Sequence, residues 1–86
     1  MNAKRRKALR AVIAKLEELD SLRQEIQERM EEVKNEEQEA LENMPESLQE
    51  SERGQQMQEY IDTMESALCE LDYIDLEGVL DNLREI

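Results

Sequence analysis

The chain contains no histidine, phenylalanine or tryptophan, a single proline, two glycines, a single cysteine and two tyrosines among 86 residues. Each shortage excludes something. Without His the commonest general base and metal ligand is missing, and neither a Ser/His/Asp nor a Cys/His set can be assembled. With only Gly54 and Gly78, no glycine-rich loop can cradle a phosphate. Cys69 has no partner for an internal disulfide, which fits a reducing compartment, and the expected role of its side chain is that of a small buried hydrophobe. No apolar run approaches the roughly 18 residues of a membrane span, and no apolar segment of the signal-peptide kind follows the basic N-terminal stretch. β-branched residues are few, so strands are not expected. The sequence therefore reads as a soluble, non-enzymatic protein of the cytoplasm that needs no cofactor or metal.

What is present is charge and helix-forming residues. Charged residues make up 40% of the chain, and the formal net charge is −12. The balance is lopsided. Residues 1–15 hold Lys4, Arg5, Arg6, Lys7, Arg10 and Lys15 and no acid, so the six positive charges there leave −18 on residues 16–86. That bulk of negative charge opposes a nucleic-acid grip along the helices, and leaves the Lys4–Lys7 arm as the one segment with the chemistry for phosphate. The same arm could instead neutralise Asp81 and Glu85 of its own or a neighbouring chain.

The apolar residues are periodic. Leu9, Leu16, Arg23, Met30, Glu37 and Met44 occupy position a of a heptad, and Val12, Leu19, Ile26, Val33 and Ala40 occupy position d. Ile13 and Leu41 fall at e and Leu22 at g, which widens the apolar stripe. Glu18, Glu25, Glu32 and Glu39 all fall at c and form an acidic column on the outer face. Pro45 interrupts the pattern, because its ring removes an N–H and clashes with the turn before it. Ser47, with Glu50 three residues on, and Ser51 offer new N-caps. The pattern then resumes with Met57, Tyr60, Met64, Ala67, Leu71 and Ile74, and its phase slips after Ile74.

These features predict an all-α fold: one domain over residues 1–86 that forms an antiparallel two-helix hairpin. Helix one covers about residues 3–43, the turn 44–50, and helix two 51–84. Two explanations of the slip compete, a stutter in a continuous helix or a break near Asp75 with Asp75 capping a last short helix; the continuous helix is expected, since one glycine at 78 costs only about 1 kcal/mol. Placing the turn between residues 47 and 48 sets partners whose numbers sum to about 95, with Arg23 facing Asp72. A chain this small builds a thin core. Ile13, Leu22, Leu41, Ile61, Leu68 and Leu80 exceed what one hairpin seam needs, so they are the expected interface of a homodimer that forms a four-helix bundle.

The turn words N-M-P-E-S-L-Q-E-S-E-R-G (Asn43 to Gly54) and the M-E-S-A-L of Met64 to Leu68 carry a resemblance. Over about residues 36–74 the chain resembles small acidic helical proteins encoded by bacteriophages and prophages, most without an assigned function. The resemblance implies an accessory protein of the bacterial host cytoplasm that binds and inhibits or sequesters a host or defence factor. Glu18, Glu25, Glu32 and Glu39 would meet a basic partner surface, with Lys4, Arg5, Arg6 and Lys7 as a second contact. The alternatives are a self-associating structural module, or an adaptor whose basic arm touches nucleic acid.

Overall fold

The computed structural model describes residues 1–86 and contains four α-helices and no strand. Helix α1 runs Ala3–Glu42, α2 Glu46–Gln49, α3 Glu52–Asp72 and α4 Leu76–Arg84. The molecule is a rod of 69 × 15 × 14 Å. Its radius of gyration, 20.2 Å, far exceeds the roughly 12 Å of a compact domain of this length. Its accessible surface, 6865 Å², exceeds the roughly 5,300 Å² of a compact protein of this mass by about 1,500 Å².

The long helix starts and stops where its local chemistry dictates. The Asn2 side chain accepts a hydrogen bond from the Arg5 N–H at 2.9 Å and caps α1. Glu42 is its last residue, three before Pro45. The Gln49 amide then reaches back and donates to the carbonyls of Met44 at 2.8 Å and Glu42 at 3.3 Å, so two otherwise open acceptors at the end of α1 are satisfied.

Pro45 does more than end α1. It takes the N-cap position of the short α2, which places Ser47 inside that helix with no capping role. The expected Ser47–Glu50 box is therefore absent, and Glu50 instead closes α2. Ser51 does cap the next helix. Its Oγ accepts from the Gly54 N–H at 3.4 Å and donates to the Leu48 carbonyl. Here glycine is required by space. A Cβ on Gly54 would stand 2.1 Å from the Gln49 carbonyl oxygen and 2.7 Å from that of Leu48.

The continuous second helix is not what forms. The chain breaks at Tyr73–Asp75, and the Asp75 carboxylate caps α4 by accepting the Gly78 N–H at 2.9 Å. The physical reason is the phase slip. A straight helix would carry Leu80 and Leu83 away from α1, whereas the break turns them back, and Leu80 becomes 1% exposed. The cost is left at the surface: Tyr73, in the break itself, is 87% exposed.

Helix α1 packs along both α3 and α4. Lys34 lies beside Glu65, Gln27 beside Asp72 and Glu17 beside Arg84, so partners rise in number on one arm as they fall on the other. The first two pairs each sum to 99, not 95. The third sums to 101, so the arms are offset by four to six residues from the expected register. Arg23 accordingly does not face Asp72 directly, since Gln27 stands between them. The core is small. Ile61 and Leu80 are 1% exposed and Leu41 9%, and no other apolar side chain is fully enclosed.

Gly54→Ala is expected to lower stability by about 1–3 kcal/mol, the range for forced overpacking, because backbone and not a flexible side chain occupies the space. Thermal melts followed by circular dichroism check this, and a melting temperature equal to that of the parent would contradict it.

Candidate interaction face

The burial pattern assigns each heptad column of α1 to a side. Position a (Leu9, Leu16, Arg23, Met30, Glu37) and position e (Ile13, Asp20, Gln27, Lys34, Leu41) are all buried or half-buried against the second arm. Position d is not. Val12, Leu19, Ile26 and Val33 are 43–54% exposed, and Ala40 is exposed too. The second arm behaves alike. Met57, Ile61, Met64, Leu68 and Leu71 turn inward, while Tyr60 and Ile74 stay about half exposed. The expected a/d seam is thus an a/e seam, and one whole apolar column is left over.

The leftover columns of the two arms lie on the same side. Ile26, Ala67 and Ile74 line one groove together with Met30 and Leu71, with Glu70 at its edge as the one charged residue. Leu19, Leu22, Ile26, Leu71, Ile74 and Leu76 line a second, of about 210 Å³, whose only polar neighbour is Arg23. A third continues toward the N-terminus over Val12, Leu16 and Leu19. The opposite side is different in kind. There Gln27, Glu31, Lys34, Glu65 and Asp72 surround Leu68 and Cys69. Cys69 is exposed on that polar side and is not the buried filler its position on the helix implied. Along its middle the rod therefore has one apolar side and one polar side; toward the N-terminus the polar flank gives way to a groove of Leu9, Ile13, Leu83 and Ile86 set among Arg6, Arg10 and Arg84.

A polar network, buried at Asp20 and open to solvent at Asp72, runs through the middle of the seam. Asp20 is 5% exposed. It accepts from Arg23 Nε and Nη2 at 3.1 and 3.0 Å, and from the Gln24 amide at 3.1 Å. Arg23 also donates to the Gln27 carbonyl oxygen, whose amide in turn donates to Asp72 at 2.6 Å. The chain of bonds crosses from α1 to the end of α3 and leaves no buried side-chain polar atom unpaired. Arg23, read in the sequence as an interruption of the seam, is one half of this pair.

The sequence-derived interface residues divide. Leu41, Ile61 and Leu80 are enclosed within the chain, and Ile13 and Leu68 are half-buried in its own seam. Of the six, Leu22 stands on the open apolar side. The acidic column divides as well. Glu18, Glu25, Glu32 and Glu39 are all exposed, but Lys15 pairs with Glu18 at 3.5 Å and Arg29 with Glu25 at 3.1 Å. Glu32 and Glu39 have no ion-pair partner. The basic arm finds none either: Lys4, Arg5, Arg6, Lys7 and Arg10 form no salt bridge, and Asp81 pairs with Arg84 instead. No group of three or more His, Cys, Asp or Glu side chains comes together in metal-binding geometry, and no helix is long and apolar enough to cross a membrane.

Comparison with family models, with curated proteins and with solved structures gives no significant match.

Asp20→Ala strands the guanidinium of Arg23 in a site only 18% open to solvent. The expected loss is roughly 3 kcal/mol, as for other broken buried pairs. Lys15→Ala, which removes an exposed pair, is expected to stay within about 0.5 kcal/mol. Urea melts of the two variants check the contrast, and equal effects would contradict it.

Proposed function

We propose that this chain is a non-catalytic protein-interaction module: an antiparallel helical hairpin that pairs through its apolar side into a four-helix homodimer. The observation that carries this reading is the exposure of Val12, Leu19, Ile26 and Val33 beside the exposed Tyr60 and Ile74, with half-buried Ala67 between them. Solvated rods do not keep apolar side chains in register every seven residues on both arms. Coiled-coil and bundle interfaces require it. The size is adequate. With the observed register the face extends from Val12 to the level of Tyr60, about 40 Å at 1.5 Å per residue. Multiplied by the 15 Å width of the rod, this gives about 600 Å² per copy and about 1,200 Å² in all, at the lower bound of specific interfaces.

A second reading is compatible with the first and rests on the acidic column. In such a dimer position c lies away from the apolar side, so Glu32, which lacks a partner within the chain, stays available to a basic protein surface. The phage-like turn supports a setting in bacterial cytoplasm, with a host or defence factor as that partner and inhibition or sequestration as the outcome.

One set of variants tests both readings. Ile26→Glu places a charge at the centre of the apolar side and is expected to convert a particle of twice 10.2 kDa into a monomer by light scattering. The combined Glu18, Glu25, Glu32 and Glu39 to Gln variant is expected to remain a dimer and to lose salt-sensitive partner binding in a pull-down. A parent protein that stays monomeric at high micromolar concentration would overturn the first reading. Undiminished partner binding by the four-Gln variant would overturn the second.

A further inference from the structure

The dimer proposed above leaves open how the two copies are oriented, and the charges of the rod answer that. The six basic residues of positions 1–15 sit at one end of α1 with no acid among them. At the other end, residues 36–52 carry Glu36, Glu37, Glu39, Glu42, Glu46, Glu50 and Glu52 with no Lys or Arg among them. Helix α1 keeps these groups apart, and at 1.5 Å per residue it is about 60 Å long. Beyond about 8 Å they do not feel one another at physiological salt. Neither end is neutralised within the chain. Lys4, Arg5, Arg6, Lys7 and Arg10 form no ion pair, and Arg84, the other cation near that end, is engaged with Glu17, Glu77 and Asp81.

This arrangement also opposes the dipole of α1. The positive end of a helix dipole is its N-terminus, where acids stabilise and bases destabilise. The first turn of α1 holds no acid and its last turn no base. Each misplaced charge weakens the isolated helix, so the distribution does nothing for the fold of one chain. It does make the rod an electric dipole through its side chains, since the backbone dipole of α1 is largely opposed by those of α3 and α4, which run the other way. Two such rods that lie side by side attract when they run in opposite directions and repel when they run in the same direction.

We infer that the apolar sides of two copies meet with the rods reversed, so that the Lys4–Arg10 arm of each copy lies along the acidic turn end, Glu36–Glu52, of the other. The apolar side supplies the geometry for this. Position d begins with Arg5, continues through Val12, Leu19, Ile26 and Val33, and ends at Ala40. Reversal about its middle sets the twofold axis between Leu19 and Ile26 and brings Arg5 of one copy level with the last turn of α1 in the other. This inference rests on the homodimer of the preceding section, and goes beyond it in fixing orientation and assigning an occupant to the basic arm. A parallel dimer would place five bare cations beside five others at one end and seven acids beside seven at the other.

Spin-label distances decide the orientation. In a Cys69→Ser background, single labels are placed at Ala3, near the basic end, and at Glu28, near the middle; both positions are exposed. Reversed rods predict a Glu28–Glu28 distance below about 30 Å, and an Ala3–Ala3 distance of about 60 Å at 1.5 Å per residue. Two short distances would mean parallel rods, which overturns the orientation and leaves the dimer standing. The absence of any dipolar signal, with a monomer mass by light scattering, would overturn both. A second variant tests the charges. Changing Lys4, Arg5, Arg6 and Lys7 to Gln is expected to weaken dimerisation at least tenfold in 50 mM salt, with the difference shrinking in 500 mM salt. If dimerisation is unchanged and the variant instead loses binding to a duplex oligonucleotide, the arm belongs to nucleic acid and the inference is overturned.

Discussion

A 40-residue helix with apolar side chains at a, d and e can be covered on only one flank by the single chain that returns along it. The rest of this structure follows from that constraint. The chain uses a and e for its own seam, which encloses Leu41, Ile61 and Leu80, and position d stays in solvent. At about 1.5–3 kcal/mol per enclosed aliphatic side chain, three such residues are a modest core for 86 residues. The surface in excess of a compact protein and the leftover column are two expressions of one geometry.

The choice of a and e over a and d is made by polar residues. Asp20, Gln27 and Lys34 occupy e, and each bonds within the seam or lies beside a polar partner across it. A network of this kind stabilises little compared with apolar packing, since desolvation offsets most of the attraction. Its effect is on register: the Asp20–Arg23–Gln27–Asp72 chain is satisfied at one offset of the two arms. The polar side of the rod forms from the same residues. Because they are turned toward the second arm and its outer flank, Val12, Leu19, Ile26 and Val33 are left on the opposite side, beside Leu22 and Ile74.

Much of this was legible in the sequence, and the failures have specific causes. The extent of α1 was readable because its period holds for some 40 residues, with Asn2 before it and Pro45 after it. The exposure of Glu18, Glu25, Glu32 and Glu39 follows directly from their spacing. The inward column was not readable, since a polar residue at e normally marks a solvated face and nothing local announces its partner on a distant helix. The register was not readable either, because it is tied by Gln27–Asp72 and Lys34–Glu65, side chains that nothing local in the sequence pairs. The break at Tyr73–Asp75 was signalled by Asp75 three residues before Gly78, a cap pattern outweighed by the low cost of one glycine. For the site, the acidic column and basic arm were visible as composition, whereas the apolar side emerged only once the seam was assigned.

Small-angle X-ray scattering in solution tests the central claim, that the apolar side is the contact between two copies, most directly. Side-by-side pairing of reversed rods predicts a particle of twice 10.2 kDa whose maximum dimension stays near 69 Å while its cross-section thickens. A particle of doubled mass and nearly doubled length, or one of 10.2 kDa with a radius of gyration of 20.2 Å at millimolar concentration, would contradict it.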